Sequence, residues 1–312
     1  MGVDQVERFA PRTGGTTPFI IAKFNVCTRV RALNMNGLRK LILKREVELL
    51  NERTFATIQE SDTGGPVRPL ITGREPHPTG RPLCIKAGHR SLPWESMKVE
   101  YPFMEIVEVA SPVRYFMSQP HKLTMRVTRF ATTLDFFPDF ELIADARFVC
   151  ALNKGAPFWL AAMQWKPDGS PFDGRHLVVE AKEDNDRRNK DPDYQHKLEL
   201  AKDVYGRIGY SFFTIFRSRD LPTAGDWTAG HEVWLDRKTA VTAIDVARVV
   251  HVLTAVGGSA PYSTVAAAIA AGPAGRAALA ALHVRRMVSI DLTIDIKRDP
   301  TVRLMNDGGA LL

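Results

Sequence analysis

The stretch that most limits what this chain can fold into is Leu177-Val178-Val179-Glu180-Ala181-Lys182. Three apolar, β-favouring residues lead into an acid and a lysine two positions apart, and side chains two apart on a strand share a face. The run reads as a buried strand that delivers a carboxylate and an ammonium to one side at its end. Taken alone, the pair is also what an ordinary surface ion pair looks like. A second acid changes the weight. In Thr133-Leu134-Asp135-Phe136-Phe137-Pro138-Asp139-Phe140-Glu141-Leu142, Pro138 interrupts an apolar segment and Asp139 opens a short strand, a position where proline is tolerated. If Asp139 and Glu180 lie on neighbouring strands, two carboxylates and a lysine meet. Carboxylates are the hard oxygen ligands that Mg²⁺ takes, and a lysine beside them can orient or help deprotonate a water. The chemistry that suits this set is phosphodiester hydrolysis, in which a metal stabilises charge on the phosphate oxygens and leaving group.

At 312 residues the chain has the length of about two ordinary domains and can bury sizeable cores. Its net charge of +7 permits binding to a polyanion without requiring it. Cys27, Cys84 and Cys150 are scattered without CxxC or Cys/His spacing, which argues against a zinc site or a disulfide scaffold and fits a reducing cytoplasm. The apolar region from Val265 to Leu282 is alanine-rich and broken by Gly272-Pro273 and Gly275, a poor membrane span.

In chain order, residues 1 to 18 read as a flexible lead-in, Phe19 to Val26 as a strand, and Leu38 to Leu50 as a helix. Arg29, Arg31, Arg39, Lys40, Lys44 and Arg45 crowd this region, as a solvated face or a phosphate-tracking one. Ser61 to Leu92 loses periodicity and reads as a connector with one short strand at Leu83 to Lys86. A helix with apolar Phe103, Ile106 and Val107 follows, stopped by Ser111-Pro112, then extended segments at Arg114 to Met117 and Lys122 to Phe130. Phe148 to Arg175, with Trp159, Trp165 and several glycines, reads as an inserted hairpin. Gln195 to Tyr205 is a helix and Tyr210 to Phe216 an aromatic strand.

The order helix with acids, strand, strand with Pro-Asp, strand with Glu-x-Lys resembles the PD-(D/E)xK nuclease superfamily. Within it, Glu95-Ser96, Glu100, Phe103-Met104, Gln119-Pro120, Pro138-Asp139-Phe140 and Val178-Val179-Glu180-Ala181-Lys182, with the Lys-Leu-Glu helix behind them, are similar to the TnsA family, the endonuclease subunit of heteromeric transposases. The match spans about Trp94 to Leu221. The resemblance implies an α/β, restriction-endonuclease-like core with a mixed central sheet, plus a C-terminal winged-helix domain. It places the metal-binding acids on Glu100, Asp139 and Glu180, the catalytic lysine on Lys182, and Gln119 at the edge of the site. Mg²⁺, with Mn²⁺ able to substitute, would be the cofactor. Double-stranded DNA at transposon ends, a DDE transposase subunit (TnsB-like) and an AAA+ ATPase regulator (TnsC-like) would be the partners, in a prokaryotic cytoplasm. Pro102, two residues after Glu100, sets that acid at the very start of the helix or at a kink and leaves Glu95 as its rival.

Arg187 and Arg188, in a mixed-charge run after the strand, and Lys197 on the following helix are candidate phosphate contacts. After Leu221 the chain changes character: Pro222, Gly225 and Gly230 make a linker, and three short helices (Asp245 to Leu253, Ser263 to Ala271, Ala274 to Leu282) precede a β wing from Met287 that ends near Arg303. In a winged helix the third helix would present Arg276, with Arg285 and Arg286 beside the DNA backbone. A small protein-docking domain is the other reading. The expected division is residues 1–92 as an N-terminal extension, 93–221 as the nuclease domain and 222–312 as the winged-helix unit. Besides the transposase role, the residues leave open a stand-alone nuclease of defence or repair and a non-catalytic DNA-binding scaffold.

Overall fold

A computed structural model describes residues 41–49, 54–68, 78–126, 132–223 and 225–305. The expected strand at Phe19 to Val26 lies outside them. Where a helix was expected from Leu38, the chain forms strand β1 (Leu41–Leu49), paired antiparallel with β2 (Thr54–Ser61). The physical reason is readable in hindsight: Leu41, Leu43, Arg45, Val47 and Leu49 alternate with charged residues over much of the run, a period of two that a β-rich partner such as Thr54–Ser61 captures.

The short hairpin β3 (Leu83–Cys84) and β4 (Arg90–Ser91) leads to helix α1 (Glu100–Val109). Then come β5 (Val113–Ser118), β6 (His121–Arg126), β7 (Leu134–Phe136) and β8 (Phe140–Asp145). Helices α2 (Ala146–Asn153) and α3 (Phe158–Gln164) occupy the segment expected to be a hairpin. Asp145 explains the first of them, because its carboxylate accepts from the Arg147 amide at 2.9 Å and caps the helix as β8 ends. Strand β9 (Gly174–Lys182), helix α4 (Pro192–Arg207), strand β10 (Ser211–Phe216) and the single turn α5 (Arg217–Asp220) follow.

Two four-stranded sheets result. One, ordered β1-β2-β6-β7, is antiparallel throughout; the other, ordered β10-β9-β8-β5, is mixed, with β9 and β10 parallel and the other pairs antiparallel. Helix α4 packs between them: Leu198, Ala201, Val204 and Tyr205 share a core with Ile58, Leu123, Met125 and Phe136 of the first sheet and Val178 of β9. The opposite face of the mixed sheet carries Phe140, Leu142, Leu177 and Val179 into a second core with α1 and α3, where Phe103 sits 4.9 Å from Phe140 and 4.8 Å from Phe158.

Beyond Leu221 the linker is shorter than expected. Helix α6 (Thr228–Asp236) includes Gly230, which lies so close under the Trp227 ring that a Cβ would collide with it. Helix α7 (Ala243–Ala255), β11 (Ser259–Pro261), α8 (Tyr262–Ile269), α9 (Pro273–Val284), β12 (Val288–Ile290) and β13 (Thr301–Leu304) follow within the described residues, with the three strands ordered β11-β13-β12. The Thr293 to Ile296 part of the expected wing is turn and 3₁₀ helix (Ile296–Arg298), started by the Asp295 carboxylate, which accepts from the Lys297 amide at 2.8 Å. Among the described residues no single helix is long and apolar enough to cross a membrane, and the apolar pair α8 and α9 is bent by 105°.

Candidate functional site

The register of β8 against β9 decides the geometry. Phe140 pairs with Val179, so the residues just outside that pair, Asp139 and Glu180, stand side by side at the strand ends. The Ala181 amide donates to Asp139 Oδ2 at 2.7 Å and fixes the carboxylate there. The Gln119 amide donates to the Asp139 carbonyl at 2.7 Å, tying the β5–β6 turn to the same point. Glu180 and Lys182 share a face of β9 as strand geometry requires. Lys182 Nζ donates to Glu180 Oε1 at 2.6 Å, and both side chains are almost fully buried.

Of the two acids near the start of α1, Glu100 is the one that interacts electrostatically with both Asp139 and Glu180. It is the first residue of α1, and Pro102 falls in the same first turn, where a missing N–H costs nothing because those donors have no partner within the helix. The Glu95 amide donates to Glu100 Oε2 at 2.8 Å. Glu95 itself is turned elsewhere: its Oε1 takes Arg68 at 3.1 Å and the Gln119 side-chain amide at 3.3 Å. The structure thus sets Asp139, Glu180 and Lys182 at one pair of strand ends, with Glu100 near enough to interact electrostatically with Asp139 and Glu180, and places Glu95 and Gln119 at the edge. Gln119 holds a left-handed backbone (φ 46°), and its Oε1 is buried without a partner. A non-glycine residue in that conformation is uncommon and concentrates at functional turns.

The acids feel one another. Burial pushes Glu100 up to about 7, helped by the negative charges of Glu95 and Glu180. Burial also raises Asp139 well above the usual aspartate range, followed by the charges of Glu180 and Glu100, against which Lys182 pulls the other way. Glu180 Oε2 is buried and has no hydrogen-bond partner. Crowded carboxylates with a spare oxygen suit a hard divalent cation, whose charge would offset their repulsion. Among the described residues, however, no three His, Cys, Asp or Glu side chains stand close enough together, as they are placed here, to hold a metal ion.

Several cations lie nearby, most of them already paired: Arg188 with Asp186 at 2.7 Å, Lys122 with Asp135 at 2.8 Å and Arg68 with Glu95. Lys197 is partly buried, its proton affinity lowered by burial and by the nearby charges of Lys182 and Arg188. It lies 5.4 Å from the Tyr194 ring, as does the Arg188 guanidinium. Lys122 and Arg68 flank the Phe137 ring at 5.9 and 5.6 Å. Arg187 is exposed in the 3₁₀ turn Arg187–Lys190. Sequence reasoning missed Tyr194, Arg68 and Lys122; the Asp191-Pro192 helix start was the available signal for Tyr194, which it places in the first turn of α4.

The C-terminal arginines divide. Arg276 is exposed on α9 beside an open groove of about 750 Å³. Arg285 and Arg286, expected beside a DNA backbone, are committed to the protein. Arg285 donates to the carbonyls of Arg237 (3.1 Å), Ala281 (3.0 Å) and Thr239 (3.3 Å), whereas Arg286 is buried, donates to the Ser111 carbonyl and stacks on Phe172. Helix α9 itself is buried from Ala278 to Val284, so most of its surface is used against α6, α8 and α1.

A second polar cluster joins the sheets. Glu141 receives His121 Nδ1 at 3.0 Å and His176 Nδ1 at 2.8 Å, and His121 Nε2 meets the Tyr205 hydroxyl at 2.7 Å. Burial alone would raise Glu141, but the two histidine hydrogen bonds hold it below the usual carboxylate range. No family model matches this chain, and no curated protein is similar enough to stand as a relative.

Proposed function

We propose that this chain is a divalent-cation-dependent DNA endonuclease of the restriction-endonuclease-like type, acting as the TnsA-like subunit of a heteromeric transposase and nicking one strand at transposon ends. The observation that carries the reading is the convergence of Asp139 and Glu180 at paired strand ends, with the Lys182 ammonium on the Glu180 carboxylate and Glu100 close enough to interact electrostatically with both acids. Glu100, Asp139 and Glu180 would hold Mg²⁺, or Mn²⁺ in its place, and the ion would supply charge stabilisation at the phosphate oxygens. Lys182, fixed at 2.6 Å from Glu180, orients the attacking water and contributes positive charge at the phosphate. Arg187, Arg188 and Lys197 take the backbone phosphates on either side, contacts that position the duplex without reading its sequence. The helix–strand–helix–helix–hairpin order beyond residue 242 supports a winged-helix reading of the C-terminal unit, with Arg276 as its available DNA contact.

The test is strand nicking of end-containing DNA in Mg²⁺ or Mn²⁺, with the cognate transposase and ATPase present. Wild-type protein nicks, and Asp139→Ala lowers nicking by about a hundredfold or more, the scale expected for losing groups that act in the transition state. Full donor excision by the Asp139→Ala protein refutes the assignment. Nicking that needs no transposase and ignores the end sequence would replace the transposition role with a stand-alone nuclease.

A further inference from the structure

Tyr194 lies in the first turn of α4, and the local chain holds it there. Asp191 caps the helix, its carboxylate accepting from the amides of Asp193 (3.0 Å) and Tyr194 (3.5 Å), and Pro192 supplies the preset first helical residue. From that turn the phenol crosses to β9 and donates to Glu180 Oε1 at 2.6 Å. The same oxygen takes Lys182 Nζ at 2.6 Å. With two donors on Oε1, the other oxygen of this buried carboxylate, Oε2, has no hydrogen-bond partner. The Tyr194 ring also sits among three cations: Lys182 at 4.6 Å, and Arg188 and Lys197 at 5.4 Å each.

Resting on the ion-dependent nuclease reading above, we infer that Tyr194 is a positioning residue: its hydroxyl fixes the Glu180 carboxylate so that Oε2 is presented to the ion. The terminal torsion of a glutamate is broad, so one donor leaves the carboxylate plane loosely set. Lys182 comes from the same strand on a flexible stem, whereas Tyr194 comes from a different element and brings a rigid ring. Two donors from two elements define the plane. Because they occupy one oxygen, the other keeps its lone pairs for the cation. The phenol is the donor of this pair, because a carboxylate oxygen only accepts. The ring does a separate job, spacing the three cations beside the acids.

Tyr194→Phe separates the two jobs, because it deletes the hydroxyl and keeps the ring. Two readouts apply: calorimetric titration with Mn²⁺, and the Glu180 side chain in metal-free crystals. The expected result is Mn²⁺ binding weaker by about tenfold or more, the scale seen when partners of metal ligands are removed. Glu180 should also leave its wild-type rotamer, with little change in melting temperature. Unchanged Mn²⁺ affinity with an unchanged Glu180 rotamer overturns the inference. Failure of the nuclease reading looks different: wild type and Glu180→Gln would then bind Mn²⁺ equally, or neither would bind it. In that case the crystals still decide the positioning role, which a displaced Glu180 supports and an unmoved one removes.

Discussion

Glu100 and Asp139 are placed where a carboxylate is costly. Each is surrounded by protein and by the other acids, so each holds its proton more tightly in the folded chain than in the unfolded one. The sign of the consequence follows from proton counting. Between the ordinary glutamate value of 4.5 and the folded value of about 7, the native state binds a proton at Glu100 that the unfolded chain has released. Stability is therefore greatest below that window and is lost as pH rises through it. The buried, neutral His283 contributes in the opposite direction over the same range, so the Glu100 share is read as a difference: in metal-free protein the melting temperature of Glu100→Gln should rise more, or fall less, with pH than that of wild type, and an equal slope in the variant would remove Glu100 as a source. At the proposed cation site Mg²⁺ would compete with these protons, so its stabilising effect on the melt should grow as pH rises.

The elements are held by a different kind of polar group. His121 from β6, Glu141 from β8, His176 from β9 and Tyr205 from α4 form a network in which the buried carboxylate is satisfied on both oxygens, and Lys44 of β1 approaches Glu141 at 3.6 Å. It ties the antiparallel sheet to the mixed one beneath α4. His121→Phe keeps the volume and breaks two bonds, leaving the Tyr205 hydroxyl and one Glu141 oxygen short of a partner. It should cost about 2 kcal/mol or more in urea unfolding. A loss within a few tenths of a kcal/mol would show that the network does not join the sheets. None of this was legible in the sequence, because its members come from three strands and a helix with no local pattern among them. The Asp139 and Glu180-x-Lys182 pair was legible, because a proline at a strand start and a period of two are local signals that the β8–β9 register preserves. Other signals pulled the wrong way. Leucines spaced through Leu38 to Leu50 imitate a helix, tryptophans and glycines hid α2 and α3, and Gly230 looked like linker although it serves close packing against Trp227.

At the scale of the whole molecule, the C-terminal unit is bolted to the acid-bearing core. His283 is fully buried, its Nε2 donating to the Val109 carbonyl at 2.8 Å and its Nδ1 accepting from the Ile290 amide at 2.9 Å; burial lowers it to about 3, so it stays neutral. Arg286 holds the Ser111 carbonyl, Ser111 and Ser289 hydroxyls meet at 2.9 Å, and Lys166 pairs with Asp291 at 2.6 Å. One hydrophobic core runs from Cys84 through α1 to Val302. The joint runs along the helix that Glu100 begins, from Tyr101, whose ring meets Trp234 edge-on at 6.1 Å, to Val109, so the C-terminal unit supports the element that positions this acid. Ending the chain at residue 221 would expose the face of α1 that meets α6 and α9. The shortened protein should lose its cooperative thermal transition, and the full chain should melt in one. A cooperative fold in the fragment, with two transitions in the whole, would make the unit independent.

Glu100, Asp139 and Glu180 are proposed to form one cation site beside Lys182. Anomalous diffraction from crystals soaked in Mn²⁺ tests it most directly. The expected result is a single strong peak bounded by Asp139 and Glu180, with Glu100 rather than Glu95 as the helix acid and Lys182 alongside. No peak there, or a peak held by Glu141 and the histidines between the sheets, would contradict it.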